Sequence, residues 1–247
     1  MFTTTREIIN SNKLVPAFNF STPEVARAIV SACAELNAPV ILQTSEKEAE
    51  FLAYEIAGAV ARHYGNSFNT SVSLQLDHLK DLESVDNVDL GAFGYSSVML
   101  DLEGSSFEDS ISQILRFKKT HPTLLIEANL EYFDRASEYT EKSGIDLLAP
   151  EIHNFIEIDS LANVAETTMV PLVLHGCSKK TDEEIKEAVK LGIRKVNFNT
   201  ELRFSWLEAI RKKLSSDEDL VKPYDLLALS EESVKSVVIN KLKILGF

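Results

Sequence analysis

The sequence predicts a single (β/α)8 barrel spanning residues 1–247, and three observations carry that prediction. Eight short apolar runs alternate with helix-patterned stretches over 247 residues, the count and length of that fold. Several runs, among them VMLD, LLIEA and PLVLH, are almost continuously apolar, as strands buried on both faces require. Polar residues gather where the runs end, and no Gly-x-Gly-x-x-Gly follows the first run, which argues against an open dinucleotide-binding sheet.

The elements follow in order. Leu14 to Phe20 reads as the first strand, with Asn19 near its end. Thr22-Pro23-Glu24 starts a helix: a cap, then Pro at the first helical position, then an early acid. Pro39 to Leu42 is the second strand, closing on Gln43-Thr44-Ser45, and one helix is expected from Lys47 to Tyr64. Ser71 to His78 alternates Val72, Leu74 and Leu76 with polar residues, giving a third strand that ends in Asp77 and His78. A short helix at Asp81 to Asn87 leads to strand four, Ser97 to Asp101. Phe107 to Lys119 is helical, Thr123 to Ala128 is strand five with Glu127, and Asp146 to Ile152 is strand six. Leu161 to Thr167 is helical, and Val170 to Leu174 is strand seven, ending at His175. Thr181-Asp182-Glu183-Glu184 caps a helix that stops at Gly192. Arg194 to Phe198 is strand eight, followed by helices at Glu201 to Lys213 and Glu231 to Lys243 around an irregular stretch, Lys212 to Leu229.

Composition narrows the function. The formal net charge is -13 and no basic stripe is present, which excludes a nucleic-acid binder by charge. No apolar run reaches the roughly 18–20 residues of a membrane span. The opening MFTTTREIIN lacks the basic-then-apolar order of a secretory signal, and two cysteines make no disulfide framework. A cytoplasmic protein is expected.

Three histidines, His78, His153 and His175, each close a separate apolar run. In a barrel the carboxyl ends of the strands form one face, so three imidazoles from three strands can meet at one metal. Imidazole donors suit Zn²⁺ better than Mg²⁺ or Ca²⁺, and a three-ligand zinc keeps a fourth position open. Asp77 adjoins His78, and strand alternation is expected to point the two apart.

Beyond these features, the chain resembles the class II, zinc-dependent ketose-bisphosphate aldolases over nearly its whole length. The resemblance is carried by VPAFNF (Val15–Phe20), APVILQTS (Ala38–Ser45), LQLDH (Leu74–His78), GYSSVMLD (Gly94–Asp101), PLVLHGCS (Pro171–Ser178) and LGIRKVNFNTEL (Leu191–Leu202). It implies one catalytic Zn²⁺ on His78, His153 and His175, with Asp77 as the catalytic aspartate. It implies substrate contacts at Asn19, Ser45 and Asn197, and phosphate-binding loops at Gly176 with Ser178 and at Asn199 with Thr200. Asp101 and Glu127 are candidates for a second metal, and a monovalent cation is a further candidate. The implied reaction splits a ketose 1,6-bisphosphate into dihydroxyacetone phosphate and glyceraldehyde 3-phosphate through a metal-stabilised enediolate. A homodimer or homotetramer is the implied assembly.

The chain departs from the family pattern after strand five. Ile126 to Gly144 keeps Glu127 but has Asn129 where a second Glu is usual, and it lacks a Gly pair. The family's mobile loop is therefore expected to be shortened, with Glu131 and Glu138 as candidates for its acid. Asn154 stands after His153 where the family has Gly. The alternative reading is a barrel that kept its metal without efficient cleavage and serves as a binding or regulatory subunit.

Overall fold

Strand alternation decides what this barrel encloses. In the computed structural model, which describes residues 1–151, 158–216 and 220–247, the strands form one closed parallel sheet in the order β1 to β8. The strands are β1 (Val15–Asn19), β2 (Val40–Ser45), β3 (Val72–Leu79), β4 (Ser97–Leu100), β5 (Leu125–Leu130), β6 (Leu147–Pro150), β7 (Leu172–Leu174) and β8 (Ile193–Phe198). β1 pairs with β8 through Val15↔Lys195 and Ala17↔Asn197, which closes the ring. The predicted (β/α)8 fold is the observed one.

Two apolar clusters hold it together. The larger lies between the sheet and the outer helices and includes Val40, Leu74, Val98, Ile126 and Val196. The smaller fills the floor of the barrel with Ile8, Ile9, Val15, Ala17, Ile41, Leu125, Leu147, Ala149 and Val173. Ile8 and Ile9 come from a helix that sequence reasoning passed over, α1 (Thr5–Ser11), which plugs the amino-terminal end of the barrel. Its capping box between Thr4 and Glu7 was the available signal. The Thr5 hydroxyl is wholly buried and bonds the Ser73 and Ser97 hydroxyls at 3.0 and 2.8 Å, so the plug is also fastened by polar contacts.

Above that floor the interior is polar. Gln43, Ser73, Gln75, Ser97, Glu127 and Lys195 are all 0 % exposed. The runs looked continuously apolar because their outward faces are, while these inward positions recur every second residue.

The remaining helices depart from expectation in three places. The helix expected over Lys47–Tyr64 is split after α2 (Pro23–Glu35) into α3 (Glu46–Leu52) and α4 (Tyr54–Ser67), because Ala53 between them has φ 70°. After the four-residue α5 (Leu90–Phe93) and α6 (Phe107–Thr120) comes α7 (Ala136–Ser143), where the sequence suggested only a shortened loop. Tyr139 of α7 is 2 % exposed and packs on Phe107, so this segment is anchored to the barrel wall. Then α8 (Ile158–Thr167), α9 (Asp182–Lys190) and α10 (Thr200–Ser216) lead to α11 (Pro223–Leu245). α11 begins eight residues before the expected Glu231, at Pro223, where proline takes the first helical position. No described helix is long and apolar enough to cross a membrane.

Candidate active site

Asp77, His78 and His175 meet at the carboxyl ends of β3 and β7, and the backbone at His78 is what lets them do so. Strand alternation should turn Asp77 and His78 to opposite faces. Instead His78 has φ 53°, and the β3–β4 register shifts between Leu76 and Leu79. The left-handed residue swings the imidazole back over the mouth, so that His78 Nε2 lies 3.9 Å from Asp77 Oδ2. The expectation that the two diverge is corrected by this bulge. Histidine is among the non-glycine residues enriched at such positions.

Asp77 is 2 % exposed and is held by two amides. Asn19 Nδ2 donates to its Oδ2 and Gln43 Nε2 to its Oδ1, each at 3.2 Å. Asn19 also donates to Glu48 Oε2 at 3.2 Å. Ser45 caps α3, donating its hydroxyl to Glu48 Oε2 at 2.9 Å while accepting from the Glu48 amide. Burial pushes the Glu48 carboxyl up, but Arg203 at 2.7 Å and the Ser45 donors outweigh it and hold Glu48 below its usual value.

His78 Nδ1 faces Asp101 Oδ2 at 3.1 Å. Burial disfavours the imidazolium, but the charges of Asp77, Asp101 and Glu127 and the Asp101 hydrogen bond overcome this and raise His78 to about 9. The His78 hydrogen bond in turn lowers Asp101 to about 2. A cation binding at His78 therefore displaces a proton. Lys80 Nζ also reaches Asp101, at 3.3 Å.

His175 stands edge-on to His78, with ring centroids 5.2 Å apart and planes at 89°. Its Nε2 lies 2.7 Å from Glu127 Oε1, and Asn197 Nδ2 approaches the same ring at 3.4 Å. The second Glu127 oxygen accepts from Lys195 Nζ at 2.7 Å and Gln75 Nε2 at 3.0 Å. Burial opposes the Glu127 charge, but the Lys195 ammonium and His175 reverse that and hold the carboxyl well below the usual range. Glu127, read from sequence as a candidate for a second metal, thus spends both oxygens on protein partners. Sequence reasoning missed Gln43, Gln75, Lys195 and Glu48. Lys195 was detectable as a lysine two residues from Asn197 in an interior strand, where only a buried acid could neutralise it.

Of the phosphate-loop candidates, Gly176 has φ 67° with open space where a Cβ would stand. Ser178 donates to Glu201 Oε2 at 2.6 Å, and Glu201 also pairs with Lys241. Asn199 and Thr200 form the β8–α10 turn. His153 and Asn154 lie outside the described residues.

The donors present suit a metal ion. One ligand atom each from Asp77, His78 and His175 lies within 4.8 Å of the others. Asn197 Oδ1, buried beside them, has no partner among the described residues. The two imidazoles are donors of the kind zinc takes, and the Asp77 carboxylate lies beside them. The acids expected to replace a loop glutamate are placed elsewhere. Glu138 pairs with Arg135 and Lys142, and Glu131 accepts from the Gly104 amide.

Known proteins share this fold. The family model for class II fructose-bisphosphate aldolase matches residues 4–128 and 132–247. The YdjI aldolase of Escherichia coli superposes with a TM-score of 0.86 at 27% identity, covering 100% of this chain and 98% of that one. The fructose-bisphosphate aldolase of Campylobacter jejuni gives a TM-score of 0.86 at 18% identity, over 99% and 95% of the two chains, a likeness of fold. With a barrel of this register, a mouth of this chemistry and a family match along almost all of its length, the chain belongs to the class II fructose-bisphosphate aldolase family, and it is an aldolase.

Proposed function

We propose that this aldolase cleaves a phosphorylated ketose to dihydroxyacetone phosphate and an aldehyde, using Zn²⁺ held by His78, His175 and His153 with Asp77 as the acid/base. For a ketose 1,6-bisphosphate the aldehyde is glyceraldehyde 3-phosphate. The observation that carries the reading is the convergence of the Asp77, His78 and His175 donors within 4.8 Å at the carboxyl ends of β3 and β7.

When bound, the ion supplies a Lewis acid for the ketose carbonyl. Asp77 takes the proton of the C4 hydroxyl as the C3–C4 bond breaks. C4 leaves as the aldehyde, the bonding pair stays on the three-carbon fragment, and C3 gains a proton that balances the one Asp77 received. Asn19 and Gln43 fix the carboxylate through their two amide bonds. Asp101 accepts from His78 Nδ1 and Glu127 from His175 Nε2, orienting each ring toward its remaining nitrogen. Gly176, Ser178, Asn199 and Thr200 surround the phosphate, with backbone amides at the start of α10 as donors. Self-association as a homodimer or homotetramer belongs to the same reading, and light scattering on the purified chain tests it.

Metal analysis with a coupled assay for dihydroxyacetone phosphate tests the proposal. One zinc per chain and cleavage of a phosphorylated ketose are expected, and His175→Ala should lose both together. Zinc bound without cleavage would favour the binding or regulatory barrel.

A further inference from the structure

A cavity opens on either side of Asp77. The smaller, about 240 Å³, has His78 and His175 in its lining, so it is the side of the ion. The larger, about 440 Å³, lies between the end of β1, α3 and α10 and holds neither histidine. Asn19, Ser21, Glu48 and Arg203 supply much of its polar wall, and Phe51 and Trp206 part of its apolar one. Asp77 Oδ2 approaches both linings, 3.9 Å from His78 Nε2 and 3.2 Å from Asn19 Nδ2. With the C4 hydroxyl of a ketose on Asp77 and its carbonyl on the ion, C5 and the atoms beyond it run toward Asn19. That path leads into the larger cavity.

Glu48 ties this cavity to Asp77. Asn19 Nδ2 carries two hydrogens and gives them to Glu48 Oε2 and Asp77 Oδ2, each at 3.2 Å. Turned over, the same amide would set its oxygen against two carboxylates and forfeit both charge-assisted bonds. Asn19 therefore keeps its carbonyl oxygen for the cavity, where it can accept from a hydroxyl and cannot donate. Glu48 is itself buried and fixed from several sides. Its Oε2 also takes the Ser45 amide and hydroxyl, at 2.8 and 2.9 Å. Its Oε1 takes Ser21 Oγ at 3.1 Å and Arg203 Nη2 at 2.7 Å. With both oxygens so engaged, Glu48 acts on Asn19 and not on the substrate. The cap of α3 accounts for the Ser45 contacts alone; the bonds to Asn19, Ser21 and Arg203 lie outside it.

We infer that Glu48, clamped by Arg203, is a positioning residue for the aldehyde half of the reaction. It holds the Asn19 amide so that Asp77 keeps its donor and the Asn19 carbonyl oxygen accepts from the hydroxyl next to the aldehyde carbon. The inference rests on the aldolase reading above and names what sets the specificity of that site.

The zinc-loaded enzyme is given dihydroxyacetone phosphate alone, then with glyceraldehyde, with glyceraldehyde 3-phosphate, or with the analogue of each that lacks the 2-hydroxyl. Exchange of a hydroxymethyl proton of dihydroxyacetone phosphate with solvent deuterium reports the three-carbon half-reaction without any aldehyde. For the aldehyde it uses better, the parent should favour the hydroxylated form by about tenfold in kcat/KM. Glu48→Ala should lose about tenfold in that kcat/KM and most of the preference, while its exchange rate stays within about twofold of the parent. Arg203→Ala leaves the helix cap whole and should show the same split at about threefold, so the outcome does not hang on Glu48→Ala folding. A role in the cap alone would lower stability and leave the preference where it was. Parental preference in Arg203→Ala and in any folded Glu48→Ala, equal losses in exchange and condensation, or parental exchange without condensation would overturn the inference alone. No exchange in the parent would remove the aldolase reading and this inference with it.

Discussion

Lys195 Nζ lies 2.7 Å from Glu127 Oε2 inside the barrel, and both side chains are 0% exposed. The other Glu127 oxygen holds His175, so this pair links the middle of the barrel to its mouth. Removing one partner strands a charge without water. Lys195→Met should lower the unfolding free energy by about 3–5 kcal/mol, read by urea denaturation. Pairing it with Glu127→Leu should recover much of the loss, because no charge then remains buried. A single variant as stable as the parent would mean that the pair contributes nothing.

Asp77 touches the two amides of Asn19 and Gln43 and approaches His78. As the proton-transfer group, Asp77→Ala should keep zinc and reduce kcat by about 10²–10⁴-fold. Measuring metal content alongside turnover separates this from loss of the ion. An unchanged kcat removes Asp77 from that role.

Glu48 is a buried acid whose folded pKa is lowered, because Arg203 and Ser45 outweigh the cost of burial. Such a group adds stability above its unfolded value of 4.5, and that contribution fades as pH falls toward the lower folded value. Glu48→Gln should therefore melt below the parent at pH 7, with the difference shrinking at pH 3.5. Thermal melts at the two pH values decide it; a constant difference would assign the effect to something other than ionisation.

Ala53, between α3 and α4, holds φ 70° and ψ 138°, a region that glycine reaches without a Cβ clash. Ala53→Gly should raise stability by about 1 kcal/mol, the relieved strain exceeding the added chain entropy. A lower midpoint in denaturant would show that the Ala53 methyl contributes more by packing than it costs in strain.

Most of the barrel was legible because the strands read as short apolar runs between helix-patterned stretches, and the polar strand ends marked the mouth. Asn19, Asp77, Asp101, His175 and Asn197 stand at or next to such ends, while Glu127 lies within β5. What was not legible depends on contacts between distant residues. The role of α1 is visible only once Ile8 and Ile9 are seen against Ile41 and Leu125, although the Thr4–Glu7 capping box marked the helix itself. The break at Ala53 has no glycine or proline to announce it. The early start of α11 was written in Lys222-Pro223 but hidden by the polar stretch before it. Lys195 stands in an apolar run, but one sequence does not show which acid it meets across the barrel.

The turn at His78 doubles the number of side chains that one strand can send into the mouth. A regularly pleated strand offers a residue and then skips one, so two adjacent groups would need two different strands to supply them. Here a single chain crossing delivers an acid and an imidazole side by side, and their spacing is fixed by covalent bonds more than by packing. Any replacement at this position must satisfy a backbone demand as well as a chemical one. A residue with suitable donor atoms but an aversion to positive φ would carry the right chemistry to the wrong side of the wall.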